Sequence, residues 1–373
     1  MIYIVSFFRR IKFKSAFNFS FIIALGSLVV TRQLDTAIFT LTTSVFIFQF
    51  VSKLVNWWDR SKKTDLPCPM CSYEHSVLLY PSKKKPSDKN SLGSYACSSF
   101  DHGKYPDIRF CPICKNGFLS HLISKDRNDV INSGFKMYES VIDSTYIENI
   151  KSRYKTYENI IQKYNPYFKN KNILEIGSYY GVFINEVQSI AKSFTGIEPS
   201  THGCKYIKDK YPHINVINSN LENAIANNLL ENKKFDTIVL WDVIEHLSSP
   251  IDTLRSLNKF LNNGGHVIFS TINIESTFSI VLGPFWPWFM DMHYYYFSDR
   301  GYVDMLHRSG YVIKAHHHFK YFVSIAYFVQ KITSLIFGIQ LSNKNLLSKL
   351  NMSIPIQLGD TVLVIGKKEM LAN

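Results

Sequence analysis

Short apolar runs of strand length recur through the second half of the chain, and amphipathic segments separate them. These runs cover residues 172–176, 193–197, 214–217, 235–241 and 266–271. The segments between them carry apolar residues at helical spacing, as in residues 250–261, which precede the helix stop signal Asn263-Gly264-Gly265. Because strands that alternate with helices form parallel sheets, the pattern predicts an α/β fold.

The first sixty residues follow a different pattern. Residues 15–31 and 36–52 are two charge-free runs of 17 residues each, separated only by Arg32-Gln33-Leu34-Asp35. Lysines and arginines flank the pair on both outer sides, which favours a cytoplasmic position for both ends. A bilayer core takes about 20 residues of helix, so each run is short for spanning. We predict a membrane-anchoring helical hairpin over residues 1–64, spanning or re-entrant, with the remaining chain at an inner or plasma membrane, facing the cytoplasm.

Two C-x-x-C pairs follow the hairpin. Cys68-Pro69-Met70-Cys71 and Cys111-Pro112-Ile113-Cys114 each bring two thiolates close enough to bind one metal ion. Neither pair lies in the strand–helix unit that is typical of a thioredoxin-like redox motif. We predict one structural zinc ion on Cys68, Cys71, Cys111 and Cys114, within a small zinc-ribbon-like domain over residues 65–130.

The charge of the chain bears on its partners. The 373 residues carry a formal net charge of +13, which suits an anionic partner such as a membrane surface or a nucleic acid. The lysines are scattered and form no long basic run, which disfavours nucleic acid. We therefore expect a membrane lipid as partner and no nucleic acid.

The turns that follow the first two strands carry candidate cofactor chemistry. Gly177 and Gly181 allow the backbone to approach a ligand, and the Glu175 carboxylate can hold a cationic or hydroxylated group. Glu198 ends the second strand 21 residues after Gly177. A carboxylate at that position is placed to accept hydrogen bonds from ribose hydroxyls, so the pattern predicts a nucleotide-type cofactor.

Together these motifs resemble those of the class I S-adenosylmethionine-dependent methyltransferases. The resemblance is strongest to a branch with an N-terminal zinc-binding segment, found among sugar, lipid and polysaccharide methyltransferases. One departure is Tyr179, which stands where the turn usually has a middle glycine and removes backbone freedom there. The resemblance extends from about Cys68 to Lys367 and rests on Leu174-Glu175-Ile176-Gly177-Ser178-Tyr179-Tyr180-Gly181, Gly196-Ile197-Glu198-Pro199, Trp241-Asp242-Val243-Ile244-Glu245-His246-Leu247, Asn263-Gly264-Gly265 and His293-Tyr294-Tyr295-Tyr296-Phe297-Ser298.

The resemblance implies a Rossmann-like seven-stranded methyltransferase sheet over residues 131–373. Residues 310–315 would form the sixth strand, and residues 359–366 would form the seventh, inserted antiparallel. The implied cofactor is S-adenosylmethionine. Its methionine part would contact Glu175, Gly177 and the turn that ends at Gly181, while Glu198 would bind its ribose. Leu221 would contact the adenine, and Asp242 would form the floor of the site.

Two histidines are candidates for the chemical step. Methyl transfer to an oxygen usually needs a base, and His246 and His293 both lie near the carboxyl end of the predicted sheet. A purely structural role for His246, in a hydrogen bond to a loop, is equally open. The ubiquinone-type O-methyltransferases, which carry a Glu-x-x-Glu-His metal cluster, suggest a further alternative. In this alternative the metal ligands would be Asp242, Glu245 and His246. Asp242 stands where those enzymes have a glutamate, so its side chain is shorter.

Two apolar segments near the end of the chain bear on the acceptor. Aromatic residues crowd residues 283–289, which predicts a substrate lid or a membrane-facing wall, with core packing as the alternative. The apolar insertion at about residues 320–340 predicts an interfacial or buried helix. With the hairpin, these segments favour a membrane-proximal acceptor, such as a small molecule or a lipid-linked sugar or glycan. The alternatives are a non-catalytic membrane scaffold with the same fold, and a Rossmann oxidoreductase, which the absence of G-x-G-x-x-G disfavours.

Overall fold

The computed structural model describes residues 63–64, 66–84, 97, 104–124, 127–337 and 352–369. Residues 65–76 and 80–373 belong to one compact unit. The membrane hairpin expected over residues 1–64 lies outside the described residues, apart from Lys63–Thr64, and is not shown. Within the described ranges, no helix combines the length and the apolar character needed to cross a bilayer.

Short strands and three helices precede the large sheet. Strands β1 to β4 cover Lys63–Thr64, Ser76–Tyr80, Ile108–Phe110 and Gly117–Leu119. Helices α1 to α3 cover Arg127–Glu139, Ser144–Glu148 and Ile150–Lys163. Strand β4 pairs antiparallel with β3 and also with β10, a two-residue strand at Tyr295–Tyr296. The cysteine-containing segment is therefore hydrogen-bonded to a strand from much later in the chain.

A seven-stranded sheet forms the centre of the unit. Its strands are β5 Asn172–Ile176, β6 Ser193–Glu198, β7 Asn215–Asn218, β8 Phe235–Trp241, β9 Leu261–Ile272, β11 Tyr311–His318 and β14 Thr361–Lys368. Their order is β11-β14-β9-β8-β5-β6-β7, and β14 runs antiparallel to both of its neighbours. The other neighbouring pairs in this order, from β9 through β8, β5 and β6 to β7, are parallel. The predicted seven-stranded methyltransferase sheet is therefore confirmed, including its antiparallel seventh strand.

The remaining elements connect these strands. Helices α4 to α10 cover Val182–Val187, Thr201–Lys210, Leu221–Ala226, Pro250–Asn258, Thr277–Leu282, Asp299–Arg308 and Ile325–Phe337. Strands β12 (Tyr321–Ser324) and β13 (Ser353–Ile356) form a separate antiparallel pair. Apolar side chains from α3, α4 and the central strands pack into one core, which includes Phe183, Val239 and Ile268. That core fixes the carboxyl ends of β5, β6 and β8 at one edge of the sheet.

The helix before β9 is shorter than the sequence predicts. Helix α7 ends at Asn258, and β9 already begins at Leu261, before the glycine pair. Lys368 Nζ donates to the carbonyls of Asn258 and Leu261, at 2.9 Å each, and so satisfies backbone groups that further helix would have used. Gly264, with φ +75°, lies inside the strand, so this glycine marks an irregular strand start and does not stop a helix.

The apolar insertion contains a strand as well as a helix. Residues 321–324 pair with Ser353–Ile356, and the helix begins only at Ile325. Ser324 Oγ accepts a hydrogen bond from the Tyr327 amide at 3.1 Å, which is the bond expected of a residue that caps a helix start. The periodicity of an apolar run cannot separate these two structures, because a buried strand and a buried helix are both continuously apolar.

The aromatic segment at residues 283–289 packs into the core. Trp286 is fully buried, and Phe289 is 1% exposed. The indole Nε1 atoms of Trp286 and Trp288 both donate to Asp360 Oδ2, at 3.3 and 2.8 Å. The lid or membrane-facing wall favoured from the sequence is therefore wrong for these two buried rings, and the alternative of core packing holds.

Candidate functional site

The turn after β5 has a backbone conformation that glycine favours. Gly177 and Gly181 have φ +80° and +69°, in the left-handed region. A Cβ atom at Gly177 would lie 2.6 Å from Val243 Cγ2, so only glycine fits this close approach. Gly181 is the N-cap of α4. The two glycines therefore shape the turn at the edge where the parallel strands end.

Tyr179 takes up the conformation of the missing middle glycine. Its φ is +45°, a conformation that costs a non-glycine residue about 1–3 kcal/mol. Its amide donates to Glu198 Oε2 at 2.6 Å, and its hydroxyl donates to Asp143 Oδ2 at 3.1 Å. Tyr138 stacks on its ring, and Tyr146 and Tyr180 contact the ring in edge-to-face geometry. These contacts offset the strain, so the departure from the family pattern does not change the path of the turn.

Glu198 is a fully buried carboxylate at the end of β6. Its Oε1 accepts from the Ser200 amide at 2.6 Å, and its Oε2 accepts from Tyr179. Burial raises its pKa to about 7 against the pull of those two amides and of the Tyr138 hydroxyl. The Glu198 carboxylate therefore already holds the turn after β5, through Tyr179, and the turn after β6, through Ser200. Any ribose hydroxyl would have to share the carboxylate with these groups.

Glu175 lies beside this turn with an unused oxygen. It is 2% exposed, and burial raises its pKa to about 8. Among the described residues, Glu175 Oε2 and Ser178 Oγ make no hydrogen bond of ordinary geometry, although the Ser178 hydroxyl lies close enough to lower the Glu175 pKa. Because a buried carboxylate with so few donors is costly to ionise, a ligand that donates to it would be favoured here.

Asp242 lies directly after β8, at the carboxyl end of that strand. Its φ is +53°, and its Oδ1 accepts from Ser270 Oγ at 2.6 Å and from the Tyr321 hydroxyl at 3.2 Å. Burial raises its pKa above the usual range, while the hydroxyls of Ser270 and Tyr321 lower it. Leu221, the predicted adenine contact, is a buried residue at the start of α6.

Arg153 is a site residue that the sequence reasoning missed. Its positive charge acts on the Asp242 carboxylate and lowers that group's pKa, although burial has the larger effect. The guanidinium carbon lies 3.9 Å from the centre of the Tyr146 ring, and Nε is buried with no partner among the described residues. A single arginine in a polar helix belongs to no motif. The sequence feature that could have indicated it is its position three residues after Ile150, on the buried face of α3.

His246 and His293, the predicted bases, lie together. Their ring centroids are 4.7 Å apart, and their Nδ1 atoms bond to the carbonyls of Met292 and Trp288 at 2.7 and 2.9 Å. Burial lowers the pKa of His246 to about 4, so its ring is neutral at pH 7. Potential ligand atoms of His246, His293 and the buried Glu245 lie within 4.8 Å of one another and could hold a metal ion. Asp242, expected in the alternative metal cluster, is not part of this group.

The four predicted cysteines form one cluster. Their Sγ atoms all lie within 4.8 Å of one another, with Cys68 to Cys114 at 3.7 Å and Cys71 to Cys111 at 3.5 Å. The knuckles contact the methyltransferase part, because Ser298 Oγ donates to the Cys114 carbonyl at 2.8 Å. A Cβ atom at Gly301 would overlap with Asn116 Oδ1, so a glycine is required where α9 meets this loop.

Comparisons with known proteins find similarity to methyltransferases. A family model for a methyltransferase domain matches residues 149–316. The tRNA U34 carboxymethyltransferase of Campylobacter fetus subsp. fetus (strain 82-40) is 29% identical over 219 residues, covering 56% of this chain and 70% of that protein. The protein of the same name from Sulfurimonas denitrificans (strain ATCC 33889 / DSM 1251) is 31% identical over 155 residues, covering 40% of this chain and 49% of that protein. A solved plantazolicin methyltransferase, BpumL, in complex with SAH is 17% identical, with a TM-score of 0.39 over 67% of this chain and 93% of that one.

Two expectations about the acceptor are wrong. Four of the relatives are named for tRNA, which contradicts the lipid-linked sugar or glycan acceptor and the expected absence of a nucleic acid partner. The scattered lysines misled the sequence reasoning, because phosphate contacts add up over separate side chains and need no continuous basic run.

The non-catalytic scaffold is not favoured either. The matched family model is a methyltransferase domain, and the relatives carry the names of transferases. The sheet order and the antiparallel β14 are those expected for the class I enzymes. The chain is a methyltransferase enzyme with the class I S-adenosylmethionine-dependent fold.

Proposed function

We propose that this chain transfers a methyl group from S-adenosylmethionine to a tRNA acceptor. The observation that carries the proposal is the placement of Glu175, Glu198 and Asp242 at the carboxyl ends of three neighbouring strands, around the Gly177–Gly181 turn. The acceptor class rests on the relatives named tRNA U34 carboxymethyltransferase, whose lengths this chain spans by 70% in one case and about half in another.

The residues at this edge fit the cofactor's functional groups. Glu175 Oε2 and Ser178 Oγ are buried close to each other, and both can accept a hydrogen bond from an ammonium group. Arg153, with its unpaired Nε, suits a carboxylate. Glu198 offers a carboxylate to the ribose, and Leu221 offers an apolar surface to the adenine.

The chain's own groups would align the reactants and receive a proton. When bound, S-adenosylmethionine supplies an electrophilic methyl group on a sulfonium centre. Asp242 accepts hydrogen bonds from Ser270 and Tyr321, which favour its ionised form. The Nδ1 atom of His246 bonds to the Met292 carbonyl, so Nε2 is the ring atom that could take a proton from an acceptor hydroxyl, and burial makes it a weak base.

A structural zinc ion fits the cysteine cluster. Four thiolates at a zinc–sulfur distance of about 2.3 Å lie about 3.8 Å apart in a tetrahedron. The two measured sulfur–sulfur distances of 3.7 and 3.5 Å are close to that value. The proposed zinc would fix the loop whose Cys114 carbonyl binds Ser298.

Domain limits and cellular location stay predictions from the sequence. The hairpin over residues 1–64, the zinc-ribbon-like domain over 65–130 and the methyltransferase domain over 131–373 are proposed on the pattern of the chain. We also propose a membrane location with the catalytic part facing the cytoplasm, since flanking lysines and arginines favour that orientation. Reporter fusions after residues 33 and 64 test it, and an external signal at residue 64 would contradict it.

Cofactor affinity should rise with pH. Burial raises the pKa of Glu198 to about 7 and of Glu175 to about 8, so both retain protons in the folded protein where an unfolded chain would be ionised. The contribution of these two groups to the stability of the ligand-free protein is therefore fully present below the ordinary glutamate pKa of 4.5 and is lost as pH rises from there through about 7 and 8. A cationic cofactor favours the ionised carboxylates, so its binding should release protons near pH 7.

Calorimetry in two buffers with different ionisation heats measures this release. We expect the dissociation constant to fall from about pH 6 to about pH 8.5. Glu175→Gln keeps the shape of the side chain but cannot ionise, so it should release fewer protons. An affinity that does not depend on pH in the wild-type protein would contradict the role of these carboxylates.

The proposed function is tested by transfer of labelled methyl groups from S-adenosylmethionine to tRNA. The purified full-length protein should label tRNA, and the label should stay with the RNA after acid precipitation.

A further inference from the structure

A cavity lies between the first cysteine loop and the start of α7. It has a volume of about 430 Å³. Three arginines line it, Arg127, Arg255 and Arg308, together with backbone and hydroxyl groups of Ser248 and Ser249. Two of these arginines come from different helices, α7 and α9, and the third begins α1. Since no motif or matched family feature explains this gathering of positive charge, its composition needs a separate reason.

Neutral groups hold the arginines in place. Arg127 Nη2 donates to the Ser248 carbonyl at 2.8 Å, and Arg255 Nε donates to the Arg308 carbonyl at 2.9 Å. Arg308 Nη1 donates to the Met70 carbonyl. Arg127 Nε is buried and has no partner among the described residues. These bonds position the guanidinium groups without neutralising their charge.

Two carboxylates pair with the arginines, and one of them, Asp252, itself lines the cavity. Asp252 pairs with Arg255 at 3.2 Å, and Asp304 pairs with Arg308 at 3.5 Å. The aspartate side chains are 72% and 46% exposed, and ion pairs with that exposure contribute little free energy. An incoming anion can therefore replace them at small cost. Arg127 has no carboxylate among its hydrogen-bond partners in the described residues.

The first turn of α7 adds to the attraction for an anion. The helix has nine residues, and its N-cap residue Ser249 makes no side-chain hydrogen bond to the first turn. The helix dipole favours negative charge at this end, where the Asp252 carboxylate already lies in the first turn. Ser249 and Ile251 line the same cavity as the arginines. The helix start and the unpaired Arg127 Nε are thus two separate features of one space.

We propose that this cavity binds a phosphodiester group of the RNA acceptor. This inference rests on the proposed function and locates part of its RNA-binding surface. Planar guanidinium groups match phosphate oxygens in pairs, and a group of three is typical of phosphate recognition. The side chains of Arg255 and Arg308 are 53% and 38% exposed, so an RNA strand that runs over the protein surface can reach them.

The cavity depends on the cysteine cluster. Cys68, Met70 and Ser72 form one of its walls, and Arg308 is held by the Met70 carbonyl. The zinc proposed for that cluster would therefore organise an RNA contact as well as the fold of its own loop. This gives the cysteine segment a part in acceptor binding.

Fluorescence anisotropy with labelled, unfractionated bacterial tRNA tests the proposal on the full chain. Arg255→Gln and Arg127→Gln should each weaken tRNA binding about tenfold, as expected for the loss of one charged hydrogen-bonding group. Each should also reduce the slope of log affinity against log salt by about one. Arg300→Gln is the matched control, because Arg300 is exposed on α9 and does not line the cavity. Arg300→Gln should bind tRNA more tightly than Arg127→Gln and Arg255→Gln do. All three variants should bind S-adenosylmethionine as the wild type does.

The outcomes separate this proposal from the proposed function. If Arg127→Gln and Arg255→Gln bind tRNA no more weakly than Arg300→Gln while methyl transfer to tRNA proceeds, the cavity is not a phosphodiester site. Inorganic phosphate is also added as a competitor of tRNA binding. If the two variants bind tRNA as the wild type does and differ only in being insensitive to phosphate, the cavity binds a free anion and the proposal is also wrong. If the wild type binds S-adenosylmethionine but not tRNA, the proposed function fails as well. Thermal melting of each variant shows whether it is folded.

Discussion

Replacing Glu198 with alanine is expected to cause the largest loss of cofactor binding of any single substitution in this site. The Glu198 side chain accepts the amides of Tyr179 and Ser200, both at 2.6 Å, inside a fully buried environment. Each amide left unpaired costs about 1–3 kcal/mol. The amide of Tyr179 also holds that residue at φ +45°, so the turn around the cofactor would lose its shape together with its charge.

Calorimetry and thermal melting measure the two effects. We expect Glu198→Ala to have no measurable affinity for S-adenosylmethionine and a free energy of unfolding lower by about 2–5 kcal/mol. Glu231→Ala removes an exposed glutamate from a loop and serves as the control, with both quantities unchanged. Wild-type affinity in Glu198→Ala would remove this carboxylate from the cofactor site.

Replacing Cys111 with serine is expected to release the zinc ion and to destabilise the cysteine segment. Structural zinc contributes on the order of 10 kcal/mol to the folding of small zinc peptides, so few other changes to this chain would remove as much. The effect should reach the methyltransferase part, because Ser298 binds the Cys114 carbonyl and Asn116 Oδ1.

Elemental analysis and melting curves measure these effects. The wild type should contain one zinc ion per chain, and Cys111→Ser should contain none and melt at a lower temperature. Cys204→Ser makes the same chemical change at a buried cysteine outside the cluster and should keep its zinc. A wild-type protein that is free of metal and equally stable with a chelator would contradict the zinc site.

The sheet could be predicted because its signals are local. Apolar runs such as residues 235–241 and the glycines after β5 occur within a few neighbouring residues. The antiparallel position of β14 came from the family resemblance and is not encoded in any short segment. Errors fell at element ends, as at Leu261, where a tertiary bond from Lys368 decides where the strand begins.

The backbone of the site was harder to predict. A tyrosine disfavours the left-handed conformation, so Tyr179 was expected to disturb the turn. Glu198 and Asp143, which hold it there, lie 19 and 36 residues away. Local steric rules cannot include such partners, and the same limit hid the role of Asp360 in burying Trp286.

Arg153 and the arginine-lined cavity show a second limit. Arg153 is a single charged residue on one helix, and the cavity combines three arginines from separate helices. In neither case does the spacing along the sequence form a recognisable period. The acceptor was misjudged for the same reason, because the surface pattern of lysines and arginines exists only after folding. Composition gave the sign of the partner's charge correctly, with a net charge of +13, but could not tell a membrane from an RNA.

Transfer of methyl label from S-adenosylmethionine to tRNA tests the central claim most directly. The purified full-length protein is incubated with methyl-labelled S-adenosylmethionine and unfractionated bacterial tRNA, and acid-precipitable label is counted before and after ribonuclease treatment. Asp242→Asn, which keeps the size of the side chain but not its charge, serves as the paired variant. We predict label in the tRNA with the wild-type protein, its release by ribonuclease, and a loss of at least tenfold with Asp242→Asn, as for one charged hydrogen bond. A wild-type protein that binds S-adenosylmethionine and leaves the tRNA unlabelled would contradict the account.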